Sequence, residues 1–186
     1  MQQEKTAADL LKDKLFYQHS DGGVTFSGGE CLDQADFILE CLKLCKAAGL
    51  HTAVDTSLDI DYKIVESIIP FCDFFLCDIK CISEELHVEG TGVRNSRIFE
   101  NLSKLLDLIP EKIWIRIPVI PGFNANKNEM EKIQQWLAKQ PATTRIELLP
   151  CNRFGESKFE ALGIENKFIL TIPSEEQMRE FRNLFE

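Results

Sequence analysis

GGVTFSGGEC, residues 22–31, places a short β-prone run between two glycine pairs and ends with an acid and a thiol. The run VTF predicts a strand, and the second glycine pair predicts a turn. The segment that follows, QADFILECLKLCKAAG, has the spacing of an amphipathic helix that stops at Gly49. The stretch therefore predicts one unit of strand, turn and helix, in which bare backbone lies beside a carboxylate.

The same alternation continues along the chain. Further strands are predicted at HTAVDTS, DFFLCDIK, KIWIRIPVIPG and TRIELLPC, and further helices at TAADLLKDKLFYQH, IDYKIVESII, SRIFENLSKLLDLI, NEMEKIQQWLAKQ and SEEQMREFRNLF. Asn95 is a possible cap for SRIFENLSKLLDLI, and Ser174 with Gln177 forms a capping pair for the last helix. Five strands separated by helices predict an α/β fold with a parallel sheet.

Length and composition limit the class of protein. The 186 residues, 44% of them hydrophobic, suffice for one core, so we expect a single domain over residues 1–186. The formal net charge of -9 weighs against nucleic acid as a partner. No apolar run approaches the ~20 residues of a membrane span, and the N-terminal segment lacks a secretory signal pattern. We therefore expect a cytoplasmic protein with reduced cysteines and no membrane partner.

Polar residues stand at the predicted carboxyl ends of the strands, where α/β proteins bind ligands. The period of two places Asp78 and Lys80 on one face of their strand, and Arg116 and Pro118 on one face of the next. An acid and a lysine side by side suit a zwitterion, because the acid can accept from an ammonium while the lysine meets a carboxylate. The pattern predicts a site for an amino-acid-like ligand. Arg116 could instead form a structural ion pair with Glu147.

Six segments in this order, GGVTFSGGE, HTAVDTS, FLCDIK, TGVRN, WIRIPVIPGFN and IELLPCNRFG, closely resemble the activating enzymes of glycyl radical enzymes, such as that of pyruvate formate-lyase. These enzymes belong to the radical S-adenosylmethionine superfamily. The resemblance runs from about Thr6 nearly to the C-terminus. It implies an open, partial TIM-type βα barrel of parallel strands that lacks the first strand of the family, so the VTF strand is expected at an edge of the sheet.

The resemblance also implies which residues bind S-adenosylmethionine. Gly28, Gly29 and Glu30 would hold the methionine amino group, and Asp78 and Lys80 would contact the polar groups of the cofactor. The other implied contacts are Asp55, Thr56 and Ser57, where relatives often read DTN or ETSG, Arg116 and Pro118, and Asn152, whose position is commonly histidine.

An iron–sulfur cluster is the second implied cofactor. The family holds a [4Fe-4S] cluster with three cysteines spaced C-x-x-x-C-x-x-C, in a region that precedes the start of this chain. Two C-x-x-x-C pairs occur here, Cys41 with Cys45 and Cys77 with Cys81, and neither is followed by a third cysteine at the required offset. We assign no cysteine to a metal, and we expect the chain to be either a fragment of a larger enzyme or a natural cluster-free relative.

The implied reaction is the reductive cleavage of S-adenosylmethionine, after which a 5′-deoxyadenosyl radical removes hydrogen from a glycine of a partner protein. The implied partners are a glycyl radical enzyme similar to pyruvate formate-lyase and an electron donor such as flavodoxin or ferredoxin. Two alternatives stay open: a cluster-free module that binds S-adenosylmethionine or the partner, and an aldolase-like barrel with Lys80 as Schiff base and Asp78 as its acid–base partner. The sequence identifies no catalytic residue.

Overall fold

Five strands form one open, parallel sheet in the computed structural model, which describes residues 22–141, 145–152 and 171–185 together with Lys12, Tyr17 and His19. The strands are β1 Gly23–Phe26, β2 His51–Thr56, β3 Phe74–Asp78, β4 Ile113–Val119 and β5 Arg145–Pro150. The sheet order is β1-β2-β3-β4-β5, and in the paired strands Gly23 lies opposite His51 and Ala53 opposite Phe74. The predicted α/β class and the edge position of β1 are confirmed.

The described helices follow the predicted alternation with one addition. They are α1 Ala35–Ala47, α2 Tyr62–Ile68, α3 Glu84–Thr91, α4 Ser96–Leu108, α5 Lys127–Leu137 and α6 Glu175–Arg182. Sequence analysis missed α3, because EELHVEGT carries little apolar periodicity. The predicted N-terminal helix falls largely outside the described residues, although Lys12, Tyr17 and His19 are each helical.

The predicted helix ends are confirmed at α1 and α6. Gly49 follows α1 with φ 71°, the left-handed conformation that glycine adopts without steric cost. Ser174 precedes α6, and its hydroxyl accepts a hydrogen bond from Gln177 N at 3.2 Å. The Gln177 side chain donates to Ala125 O instead of closing the box. Side-chain capping therefore fixes the start of α6 and a glycine fixes the end of α1.

The alternation of β4 shows why its two faces differ. Ile113, Ile115, Ile117 and Val119 are fully buried, whereas the residues between them are half-buried. Burying each isoleucine contributes roughly 1.5–3 kcal/mol, so register is strongly specified and the polar face of the strand follows from it. The same alternation in and beyond β3 buries Cys77 and Ile79 and leaves Asp78 and Lys80 half-buried. The predicted faces of both strands are confirmed.

The chain divides into two compact units. The first takes the described residues within Met1–Cys77, Ser96–Trp114 and Ala142–Arg145, and the second those within Asp78–Asn95, Ile115–Pro141 and Ile146–Glu186. The predicted site residues therefore fall into two groups, one in each unit. Among the described residues, no helix has the length and hydropathy needed to cross a membrane.

Candidate functional site

In the first unit, a glycine turn follows the carboxyl end of β1. Gly28 has φ 100° and Gly29 has φ 28°, and an added Cβ at either position would meet no atom within 4 Å. Glycine is therefore required by backbone conformation and not by crowding. Because both residues are exposed, their main-chain groups are accessible to a ligand.

The carboxylate of Glu30 joins this turn to the end of β2. Its Oε1 accepts from Leu32 N at 3.1 Å, while its Oε2 accepts from Thr56 Oγ1 at 3.0 Å, Ser57 N at 2.9 Å and Ser57 Oγ at 2.8 Å. A carboxylate offers about four lone-pair positions, so internal donors take most of its capacity. The predicted contact between Glu30 and an ammonium stays a prediction, and the observed bonds give Glu30 a second role in fixing the turn.

Asp55 and Thr56, two of the three residues predicted at the carboxyl end of β2, point in different directions. Asp55 is half-buried, and its Oδ2 accepts from Ser27 Oγ at 2.9 Å. Thr56 is only 3% exposed and lies on the opposite face of the strand, where its hydroxyl donates to Glu30 and accepts from Leu58 N at 3.0 Å. Asp55 therefore carries its charge on the more accessible face, whereas Thr56 acts within the protein.

The thiol of Cys31 reports the electrostatics of this turn. Burial, followed by the neighbouring carboxylates of Glu30 and Asp55, raises the pKa of Cys31 to about 12. Cys31 Sγ also donates to Asp55 O at 3.4 Å. Burial would disfavour any charged group here, and the two carboxylates add a further cost for an anion, so Cys31 stays a neutral thiol.

A strained segment follows Thr56. Leu58 is fully buried and has φ 64°, a conformation that a non-glycine residue adopts only at a cost. The buried amide of Asn101 donates to Leu58 O at 2.9 Å and to Ile60 O at 2.8 Å, which holds the segment in place. Sequence analysis missed Asn101, although an asparagine on the apolar stripe of α4 is the signal that identifies it.

In the second unit, Asp78 and Arg116 form an ion pair. Asp78 Oδ1 accepts from Arg116 Nε at 2.9 Å and from Arg116 Nη2 at 2.7 Å, and the two side chains are 25% and 18% exposed. Arg116 therefore has Asp78 as an ion-pair partner, which the sequence did not predict, and the alternative pair with Glu147 stays a prediction. Pro118 follows on the same face of β4.

Lys80 is half-buried two residues beyond Asp78. Within the part of the chain that the structure describes, its ammonium has no hydrogen-bond or ion-pair partner, since Asp78 is held by Arg116. A partly desolvated ammonium without a carboxylate partner is costly unless a ligand supplies the anion. Lys80 is therefore suited to bind a carboxylate.

Buried polar side chains hold the segment that follows Lys80. Asn95 donates to Cys81 O at 3.1 Å and to Ile82 O at 3.0 Å, instead of capping α4. Glu129 accepts from Ile82 N, from Ser83 N at 2.9 Å and from Ser83 Oγ at 2.7 Å. Burial acts to raise the pKa of Glu129, but the bonds from Ser83 and Ile82 outweigh it and lower the pKa. Sequence analysis did not identify this support.

Asn152, the last predicted contact, is exposed immediately beyond β5. Its neighbour Cys151 continues the main-chain bonding, since Cys151 N donates to Val119 O at 3.0 Å. Asn152 is therefore placed by the sheet at the carboxyl end of β5, as the sequence predicted.

The cysteines do not assemble a metal site in the described residues. No group of three or more histidine, cysteine, aspartate or glutamate side chains there has the arrangement to hold a metal ion. Cys41 and Cys45 are buried on α1, and Cys77 and Cys81 are buried at and beyond the end of β3. The described residues thus do not offer the three cysteine ligands that a [4Fe-4S] cluster needs.

Comparison with known proteins identifies the family. Residues 2–137 match the model of the radical SAM superfamily. The chain is 35% identical over 90% of its length to a (2S)-3-sulfopropanediol dehydratase activating enzyme of Klebsiella oxytoca, and 36% identical over 88% of its length to a pyruvate formate-lyase-activating enzyme of Clostridium pasteurianum. It spans 53% of the first relative and 70% of the second.

A solved structure agrees with these matches. The crystal structure of a domain of pyruvate-formate lyase-activating enzyme from Bacteroides vulgatus superimposes with a TM-score of 0.74 at 29% identity, over 88% of this chain and 92% of that one. The family implies S-adenosylmethionine and a [4Fe-4S] cluster as cofactors. On this evidence the chain belongs to the radical SAM superfamily, with homologues among the activating enzymes of glycyl radical enzymes.

Proposed function

We propose that this chain is the S-adenosylmethionine-binding part of an activating enzyme that generates a glycyl radical on a partner enzyme. Family membership and the activating enzymes among its relatives support the reaction class. The observation that carries the binding role is Lys80, whose half-buried ammonium has no partner within the described residues.

In this proposal the second unit binds the carboxylate of the methionine moiety. Lys80 donates to that carboxylate, and Asp78 and Arg116 hold each other so that the lysine is left for the ligand. Pro118 and Asn152 lie at neighbouring strand positions and border the bound cofactor.

The first unit carries groups that suit an ammonium. Gly28 and Gly29 are exposed and their carbonyls can accept hydrogen bonds, while Asp55 adds negative charge on the accessible face of β2. Glu30, Thr56 and Ser57 keep the turn and the strand end together through the carboxylate of Glu30.

When bound and reduced by one electron from the [4Fe-4S] cluster of the complete enzyme, S-adenosylmethionine would supply the radical chemistry that removes a hydrogen atom from glycine, and this chain's own part would be to bind and orient it. The relatives' names indicate a glycyl radical enzyme as partner, of the kind represented by pyruvate formate-lyase and sulfopropanediol dehydratase. We further infer a flavodoxin or ferredoxin as electron donor and a cytoplasmic location.

The aldolase alternative has less support. It needs Asp78 to exchange protons with a substrate beside Lys80, whereas Asp78 Oδ1 is already held by two bonds from Arg116. The cluster-free binding module shares every contact described above and differs only in chemistry, so activity measurements separate it from the proposed enzyme.

Calorimetric titration with S-adenosylmethionine tests the binding role. Lys80→Ala removes a charged hydrogen bond and should weaken binding by about 1.5–3 kcal/mol. Lys104→Ala is the matched control, because Lys104 is an exposed lysine of the first unit that pairs with Glu100 on α4. Equal affinity for wild type and Lys80→Ala would refute the assignment of Lys80.

The reaction is tested separately. The chain joined to a C-x-x-x-C-x-x-C segment from a relative, and reconstituted with iron and sulfide without oxygen, should release 5′-deoxyadenosine under reducing conditions. The 186-residue chain treated in the same way is the control and should release none. Binding without release by the joined protein would favour the binding-module alternative.

A further inference from the structure

Asn124 lies in the turn that follows β4 and is completely buried. Its Nδ2 donates to Lys80 O at 2.5 Å and to Pro118 O at 2.6 Å, while its Oδ1 accepts from Ile120 N at 2.7 Å. A carboxamide can form about four hydrogen bonds, so this side chain uses most of its capacity on main-chain groups.

A proline interrupts the main-chain hydrogen bonding between β3 and β4 close to Asn124. Ile79 N donates to Arg116 O at 2.9 Å, which continues the bonding between the two strands just past β3. Pro118 has no N–H, so β4 cannot donate from that position. The amide of Asn124 donates to the main-chain carbonyls of Lys80 and Pro118, the two residues that we assign to the cofactor.

The other buried asparagines act differently. Asn95 and Asn101 also donate twice to carbonyls, but in each case both acceptors belong to one short segment. Asn124 joins Lys80, beyond β3, to Pro118, within β4. It therefore fixes the relation between two strand ends and not the local shape of one loop.

We propose that Asn124 is a positioning residue, which holds Lys80 and Pro118 in the single arrangement that binds the carboxylate of S-adenosylmethionine. This inference rests on the proposed function. Lys80 needs the bridge from Asn124 to reach the ligand, although Asn124 acts only through the main chain of Lys80.

The test measures the acetylation rate of Lys80 by mass spectrometry, with and without S-adenosylmethionine. At a ligand concentration about ten times the wild-type Kd, bound ligand should slow acetylation of wild-type Lys80 about tenfold. Asn124→Asp is nearly isosteric and removes both donors, and protection should fall below about twofold at the same concentration. Asn124→Ala also removes the bridge, without adding charge, and it replaces Asn124→Asp in the measurement if the aspartate variant does not fold.

Thr52→Val is the control for a general loss of stability. Thr52 is buried at the amino end of β2, where its hydroxyl donates to Phe71 O at 2.8 Å, so the variant loses a buried bond far along the strand from its carboxyl end. It should keep the wild-type protection, with all variants measured well below their Tm. Wild-type protection in both asparagine variants would overturn the positioning role and leave the proposed function standing. Absence of protection in wild type itself would overturn the proposed function and this inference with it.

Discussion

At the scale of single residues, the strained conformation of Leu58 should make a glycine variant more stable than an alanine variant, which is the reverse of the usual order. Leu58→Ala and Leu58→Gly both remove a fully buried side chain, which costs about 2–5 kcal/mol. Alanine must also adopt φ 64°, whereas glycine does so freely. We expect the glycine variant to be more stable than the alanine variant by about 1 kcal/mol, measured by urea unfolding.

Leu42 provides the control for Leu58, because it is equally buried in the first unit but lies within α1. At this position the alanine variant should be more stable than the glycine variant by roughly 0.5–1 kcal/mol, because glycine loses more conformational entropy when it folds into a helix. The same order at both positions would show that the Leu58 backbone relaxes in the variants.

Asp73 should make stability depend on acid pH. Burial acts to raise the pKa of Asp73, but the bond from Lys46 at 2.7 Å and those from Thr52 lower the pKa below the ordinary value of 3.8. A carboxyl with a depressed folded pKa stabilises above its unfolded pKa and loses that contribution as pH falls through the folded one. The free energy of unfolding should therefore fall as pH drops below 3.8 towards the folded pKa.

Asp73→Asn tests this dependence. The variant should be about 1–3 kcal/mol less stable than wild type near neutral pH, and the difference should shrink as pH falls through that range. Asp107→Asn is the control, because it removes an exposed carboxylate of α4 and should keep the wild-type stability near neutral pH. A difference that stays constant with pH would contradict the role of the Asp73 charge.

At the scale of secondary structure, α3 carries a glycine that packing requires. A Cβ added at Gly90 would lie 2.3 Å from the ring of Phe123, which real contacts do not allow. Replacing glycine in a helix by alanine otherwise stabilises by roughly 0.5–1 kcal/mol. We expect Gly90→Ala to destabilise wild type but to stabilise the Phe123→Ala background, as a double-mutant cycle of unfolding free energies would show. Additive effects would mean that the ring moves aside without cost.

The strands were predictable from the sequence, whereas one of the helices was not. Strands were predictable because alternation marks both faces of β4, and the accessible face of β3 placed Asp78 and Lys80 correctly. Helix α3 was missed because its burial depends on partners distant in sequence, among them Phe123 against Gly90.

The sequence predicted candidate site residues, whose binding role stays a prediction, and it did not predict the bonds among them. The Arg116 partner of Asp78 and the bridge from Asn124 to Lys80 join segments far apart in the chain. A local pattern carries no such information, and an asparagine in a turn looks the same whether it is solvated or completely buried. A buried structural role can be predicted from the local sequence only where a polar residue interrupts an apolar stripe, as Asn101 does in α4.

At the scale of the whole molecule, the reactivity of the seven free cysteines measures both the burial of the core and the accessibility of each thiol to a metal. Six are buried and Cys151 is half-exposed. Burial raises the pKa of Cys72 to about 12, and burial with the nearby Glu129 does the same for Cys81. At pH 8 such thiols are ionised to roughly one part in ten thousand, and the thiolate is the reactive form.

Titration of the native chain with Ellman's reagent should therefore give one fast equivalent per chain, from Cys151, and all seven in guanidinium chloride. Burial also raises the pKa of Cys151, so its rate should increase as pH rises from about 7 to 9, because a larger fraction becomes thiolate. Cys151→Ser is the control and should remove the fast equivalent without changing the six slow ones. Fewer than seven thiols after unfolding would reveal a disulfide. A second fast equivalent from Cys77 or Cys81 would show an accessible thiol at or beyond the end of β3 and would reopen the question of whether these cysteines bind a metal.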